Sequence, residues 1–193
     1  GEGGMGQVYE AIEESSGRHV AIKTLRAELA DDGEMLARFR NEARALMAVR
    51  HPGLVEVYET GGLPSGGAYI AMEFVDGQSL RRRLAAGLPP LSWALELAQK
   101  VAAALAAVHA AGIVHRDLKP ENIMLLRHQS GGPHDGPEPE PDVKVIDFGI
   151  AKVTTNTQRQ TQLSTRTGVI MGTPLYMAPE QCGGEGQISD RTD

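Results

Sequence analysis

Polar and apolar residues alternate over residues 7–13 (QVYEAIE) and 19–25 (HVAIKTL), and ESSGR lies between them, so the chain opens on strand, turn, strand. The period then changes. Over residues 34–49, Met35, Phe39, Leu46 and Val49 recur at spacings of four, seven and three, which predicts a helix with one apolar stripe. Glu42 sits in the middle of that stripe, where a charge is costly unless it is paired. Two further apolar runs, HPGLVEVYETG (51–61) and AYIAMEFVDG (68–77), are broken by Gly-Gly and Pro-Ser-Gly-Gly and predict a hairpin. Residues 92–111 predict a long helix with Leu97, Val101, Leu105 and Val108 on its core face, stopped by Ala111-Gly112. An apolar strand follows over 143–151 (VKVIDFGIA), ending in Asp147-Phe148-Gly149.

Two stretches break the pattern. Residues 127–142 (RHQSGGPHDGPEPEPD) are rich in Gly, Pro and acid and read as a flexible surface insert, in which His128 and His134 do not have metal-ligand spacing. Residues 154–180 are dominated by hydroxyl side chains, so a mobile segment is expected there.

Composition narrows the class. At 193 residues, 41% hydrophobic and 23% charged, the chain is a globular protein of one or two compact domains. A net charge of −6 speaks against a nucleic-acid-binding role. The single cysteine, Cys182, cannot form an internal disulfide, which favours a reducing, cytoplasmic setting. The most apolar candidate span, Val101–Val114, is short and interrupted by His109, so no membrane contact is expected of this segment.

The chemistry is concentrated in residues 115–122, HRDLKPEN, a charged loop between the apolar runs AGIV and IMLL. Asp117 can accept a hydroxyl proton, Lys119 can neutralise a phosphate, and Asn122 can hold a hard cation through its oxygen. Residues 1–8 (GEGGMGQV) place Gly1, Gly3, Gly6 and Val8 in a G-x-G-x-x-G-x-V pattern. A dinucleotide-binding fold would open a helix at the third glycine, whereas a strand follows here, so these glycines belong to a hairpin able to lie over phosphates. In VAIK (20–23), alternation puts Ala21 and Lys23 on one face. Lys23 is the natural partner for Glu42; the alternative is that Glu42 reaches solvent beside Arg38.

Together, HRDLKPEN, VAIK, the helix glutamate, DFG and GTPLYMAPE resemble the protein kinases, and Lys119 with Thr173 resembles the serine/threonine branch. The GEGGMG and GTPLYMAPEQ forms look most like bacterial kinases of the eukaryotic type. The resemblance implies an α+β, two-lobed fold: an antiparallel sheet with one helix (1–75), then a mainly helical lobe (76–193). It implies Met72 as gatekeeper and Glu73 to Val75 as a hinge against adenine, with Val8, Ala21 and Met124 around the base. ATP and Mg²⁺ (or Mn²⁺) are the implied cofactors, with Asn122 and Asp147 as metal ligands and protein Ser/Thr hydroxyls as acceptors. Kinases pair the strand lysine with the helix glutamate when active, here Lys23 with Glu42. Thr165 and Thr167 stand where such kinases carry activating phosphates, with Arg116 as the phosphate's partner and a dimer as the setting for autophosphorylation. A column through Leu46, Val57, Phe148 and His115 would end at Asp193.

The resemblance also leads to an expectation that the chain is a piece of a longer domain, poorly stable or inactive alone, with apolar surface exposed on the long helix. A nucleotide-binding pseudokinase scaffold is the alternative function, disfavoured because Lys23, Asp117 and Asp147 are all present. Arg81, Arg82 and Arg83 read either as a solvated helical face or as a contact for acidic substrates.

Overall fold

The computed structural model describes residues 2–3, 6–25, 33–64, 66–127, 140–148, 174–183 and 187–193; within the first long helix the side chains of Glu34, Met35 and Arg38 are not described. Gly1, His128, His134, Gly149, Thr165, Thr167 and Thr173, singled out above, lie outside these residues.

A five-stranded antiparallel sheet has the order β1-β2-β3-β5-β4. Its strands are β1 (Glu2–Gly3), β2 (Gly6–Ile12), β3 (His19–Leu25), β4 (Val57–Gly62) and β5 (Ala68–Glu73). Glu13–Gly17 makes the tight turn expected between β2 and β3, with Gly17 in the left-handed region at φ 70°. Helix α1 (Gly33–Met47) packs on this sheet through Phe39, Ala43 and Leu46, all buried with Val57, Ala68 and Ile70. It begins one residue before the expected start and ends two before the expected end. Val49 lies beyond its last turn and packs against the core from there.

The second sheet is small, with order β6-β7-β8. Its strands are β6 (Gly77–Ser79), β7 (Ile123–Leu126) and β8 (Val143–Val145). Helix α2 (Leu80–Ala85) continues directly from β6, capped by Ser79, whose hydroxyl accepts the Arg82 N–H at 3.3 Å. Helix α3 (Leu91–Ala110) buries Trp93, Leu97, Val101, Ala104, Leu105 and Val108. At 20 residues and mean hydropathy 1.3 it is long and apolar enough to cross a membrane, a reach the shorter Val101–Val114 window did not suggest. Its buried face packs in the core, while Leu91 and Leu95 on the other side are exposed. A short helix, α4 (Pro179–Gly183), and a 3-10 turn (Asp190–Thr192) close the described part.

The two sheets are joined through the segment between α1 and β4. Leu54 bridges Val145 in parallel; Val55 N–H donates to Val145 O at 3.0 Å and Val145 N–H to Gly53 O at 2.8 Å. Strand β8 stops at Val145, short of the strand predicted to reach DFG, because Ile146 N–H turns to Asn122 O (2.9 Å) and Asp147 takes a left-handed backbone.

Gly77 is needed where β6 crosses β7: a Cβ there would meet Leu125 O at 2.1 Å, against backbone that cannot give way. Gly77→Ala is expected to cost roughly 1–3 kcal/mol and to lower the thermal unfolding midpoint by several degrees in circular dichroism. Gly33→Ala meets nothing within 4 Å and should leave the midpoint in place.

Candidate active site

The loop after α3 is shaped first by where the helix stops. Ala111 and Gly112 (φ 73°) turn the chain, and Ile113 N–H returns to Val108 O at 3.0 Å. The next residues take their form from Asp193. Its side chain is 1% exposed and accepts the N–H groups of His115 and Arg116, each at 2.7 Å, and His109 Nε2 at 2.8 Å. A buried carboxylate is tolerable because charge-assisted hydrogen bonds replace its water. Arg116 is thereby held at φ 64°, a strained conformation for a non-glycine residue, and Gln181 Nε2 from α4 also ties down its carbonyl at 2.9 Å.

His115 is fully buried, its ring 4.6 Å from that of Phe148. Burial holds its imidazole below the ordinary histidine range, against the opposing pull of Ile146 O and the carboxylates of Asp193, Asp117 and Asp147. A neutral ring fits its contacts: Nε2 lies 3.0 Å from Ile146 O, and Nδ1 accepts the Asp117 N–H at 3.2 Å. Leu46, Val57 and Phe148 lie in one buried core cluster; of the expected column, the structure shows the Phe148 ring against His115 and the His115 N–H on Asp193.

This scaffold presents Asp117. Lys119 Nζ lies 2.9 Å from its Oδ2, and Asn122 Nδ2 donates to its carbonyl at 2.8 Å and its Oδ2 at 3.2 Å. With its nitrogen so committed, buried Asn122 carries its oxygen on the other arm of the amide, the atom a hard cation takes. The Ile146–Asn122 backbone bond places the residue before Asp147 directly against Asn122. One carboxylate and one amide oxygen suit a cation that takes most of its shell from water and a bound substrate. Among the described residues no group of three or more His, Cys, Asp or Glu could hold a metal.

The sheet supplies the other wall. Val8 stands opposite Lys23, and Ala21 opposite Met72, so cross-strand pairing puts all four on one face. Gly3 pairs with Gly6 at the β1–β2 turn. Met124 is half-buried on β7. Val75 is half-buried beyond β5, and Glu73 N–H donates to Glu56 O at 2.8 Å.

The charge pairing differs from the expected one. Lys23 Nζ binds Asp147 Oδ1, and Glu42 Oε1 accepts from Arg116 Nη1 at 3.4 Å, instead of Lys23 and Glu42 meeting each other. Two carboxylates suit Lys23 equally in charge. The left-handed backbone of Asp147 (φ 59°) aims one at it, while Arg116 draws the other towards the loop.

Four contacts had weaker signals in the sequence. Lys144 lies between buried Val143 and Val145, so alternation alone puts it on the opposite face; there it binds Glu73 Oε2 at 2.7 Å and Leu54 O at 3.2 Å. Gln181 closes the GTPLYMAPEQ string, which gives no sign of its contact with the Arg116 carbonyl. His109 falls near the end of a stripe of alanines. Glu180, whose carboxyl is held below its usual range chiefly by a hydrogen bond from Thr192 Oγ1 (2.7 Å), links α4 to the turn that carries Asp193.

Two outcomes are expected. Asp193→Ala strands the His115 and Arg116 N–H groups, so their hydrogen-exchange protection should fall by about ten- to a hundredfold, as loss of roughly 1–3 kcal/mol implies. Because His115 stays neutral when folded but gains a proton below about pH 6.5 when unfolded, the unfolding midpoint should fall as pH is lowered from 7 to 5. Calorimetry should find that fall shallower in His115→Asn.

A sequence model described as the protein kinase domain matches residues 1–193. The chain is 42% identical over 195 residues to the serine/threonine-protein kinase pkn3 of Myxococcus xanthus, covering all of this chain and 34% of that protein. It is 41% identical over 187 residues to PknA of Mycobacterium tuberculosis, covering 94% of this chain and 39% of the relative. The chain thus spans about a third of the length of these curated relatives. Among solved structures it resembles the kinase domain of M. tuberculosis PknI, with a TM-score of 0.72 and 27% identity over all of this chain and 66% of that one. It also resembles Rad53 residues 1–466 in complex with AMP-PNP, with a TM-score of 0.70 and 27% identity over 96% of this chain and 41% of that one.

Proposed function

The chain belongs to the protein kinase family, and on that premise we infer that the whole protein transfers the γ-phosphoryl group of ATP to serine and threonine hydroxyls of other proteins. The observation that carries this reading is the approach of the Lys23–Asp147 pair to the Asp117–Lys119–Asn122 cluster through the Ile146–Asn122 bond.

In this reading Asp117 orients the acceptor hydroxyl and takes its proton. Lys119, already beside Asp117, steadies the transferred group, and Lys23 holds the α- and β-phosphates. Gly1, Gly3 and Gly6 bring backbone N–H groups over the phosphates, and Val8, Ala21 and Met124 enclose the adenine against Met72 and the Glu73–Val75 segment. Mg²⁺, held by Asn122 and Asp147, would neutralise the charge on the phosphate oxygens. Thr173, outside the described residues, is assigned by the resemblance to contact the loop around Asp117.

The observed pairing is a resting arrangement. Were Asp147 to hold the cation with Asn122, its hold on Lys23 would weaken and Lys23 would be free to pair with Glu42. Arg116 Nε is a buried donor with no partner among the described residues, and Arg116 Nη1 is engaged by Glu42. A phosphate on Thr165 or Thr167 would satisfy the first and compete for the second, which releases Glu42. Such phosphorylation would occur between two copies of the protein in the cytoplasm.

Asp117→Asn and Lys23→Met in the full-length protein should each lower phosphate incorporation into a protein acceptor by about 10²–10⁴-fold, measured with radiolabelled ATP. Incorporation equal to the unaltered protein in both variants would assign the activity to a contaminant and leave a nucleotide-binding scaffold.

A further inference from the structure

The peptide plane between Arg116 and Asp117 is the last rigid unit before the Asp117 carboxylate, so its orientation sets the direction in which that side chain leaves the loop. It joins a residue at φ 64° to one outside any helix or strand, so no regular ladder holds it. Its two polar ends are held separately. The N–H, that of Asp117, donates to His115 Nδ1 at 3.2 Å, a contact made within the loop. The C=O, that of Arg116, accepts from Gln181 Nε2 at 2.9 Å, and Gln181 belongs to α4. Asp193 holds the two planes before this one through the N–H groups of His115 and Arg116. Glu180, accepting from Thr192 Oγ1 at 2.7 Å, joins α4 to the turn that carries Asp193, so three successive planes are held from one unit.

The amide of Gln181 has a second contact. Ala178 N–H donates to its Oε1 at 3.0 Å, while Gln181 N–H returns to Ala178 O at 2.9 Å. A glutamine at the third helical position that reaches back to the residue before the helix is an N-terminal cap, and that alone would place a glutamine here. Capping uses only the oxygen, however. The Ala178 N–H fixes which arm is oxygen, and the nitrogen is thereby turned to Arg116 O. One planar group must accept on one arm and donate on the other at this reach. Glutamate has no donor, lysine has no acceptor, and asparagine is shorter by a methylene.

We infer, resting on the reading of Asp117 as the proton acceptor of a kinase, that Gln181 is a positioning residue for phosphoryl transfer: its donor arm holds the Arg116–Asp117 peptide in the orientation that aims the Asp117 carboxylate at the acceptor hydroxyl. Without that donor, Arg116 O loses its partner from α4. The plane is then able to turn about the bonds on either side, which takes the Asp117 N–H off His115 Nδ1. The carboxylate leaves its place beside Lys119 Nζ and Asn122 Nδ2. A misplaced base slows the chemical step and leaves nucleotide binding in place, because Gln181 acts on the loop and not on the nucleotide.

The test uses the full-length protein with Gln181→Glu and Gln181→Met. The first keeps the oxygen that caps α4 but has nothing to donate to Arg116 O; the second is of similar length and loses both arms. Single-turnover transfer from radiolabelled ATP to a protein acceptor should slow by about ten- to a hundredfold in both. KM for ATP should stay within about twofold of the unaltered protein's. The thermal midpoint should hold in Gln181→Glu and fall in Gln181→Met, which has lost the cap. Hydrogen exchange read residue by residue should show the Asp117 N–H opening about tenfold faster in Gln181→Glu, while the His115 and Arg116 N–H groups, on Asp193, keep their protection. Transfer at the unaltered rate in Gln181→Glu would reduce the residue to a cap and overturn the assignment. So would slowed transfer without selective release of the Asp117 N–H, or a rise in KM for ATP that accounts for the whole effect. If the unaltered protein transfers no phosphate but the Asp117 N–H still opens selectively in Gln181→Glu, the hold on the peptide stands and the transfer reading fails.

Discussion

The buried carboxylate of Asp193 is the point from which the active-site loop takes its shape. It satisfies the main-chain donors of His115 and Arg116 and the ring of His109, so α3, the loop and the turn at 190–192 share one anion. Without such an acceptor, Arg116 would have little reason to stay in a left-handed conformation, whose cost is about 1–2 kcal/mol. That conformation points the guanidinium to α1 and leaves Asp117, the next residue, facing Lys119 and Asn122. One interaction therefore fixes both a charged partner for the upper helix and the orientation of the proposed base.

Four groups then share two possible arrangements. Lys23, Asp147, Glu42 and Arg116 carry two charges of each sign, and exchanging partners preserves neutrality. The pairs are part-exposed, with the Asp147 side chain at 41%, so neither is strong enough to lock the site. In the proposed reading, weak pairs suit a site whose Asp147 carboxylate would be shared with a cation. The partner exchange requires no new charge to enter the core.

Much of the fold could be read along the chain because its turns are chemically explicit. Ser-Ser-Gly between β2 and β3, the glycines between β4 and β5, and Ala111-Gly112 after α3 all mark ends that the structure has within a residue or two. The loop at 115–122 could be read because a dense set of charges between apolar runs has few other uses. The choice of ion pairs was hidden: Glu42 lies in an apolar stripe and plainly needs a cation, yet Lys23 and Arg116 both qualify. What separates them is the backbone of Asp147 and Arg116, both at positive φ, and no residue type at those positions announces it. Likewise Lys144 could be placed on a face by alternation, but its partner Glu73 lies 71 positions away.

That last contact has a mechanical meaning. Lys144 precedes Asp147 by three residues, and Glu73 is the final residue of β5, so one short strut connects the first sheet to the strand that leads to Asp147. The same ammonium grips Leu54 O, which anchors the strut at a third point. The two sheets are thus tied at this edge by a part-buried ammonium, and elsewhere by the more exposed Lys23–Asp147 pair. With the Leu54–Val145 bridge and its flanking backbone bonds, that lysine makes a seam, through which a change in β5 is passed to the residues just before Asp147.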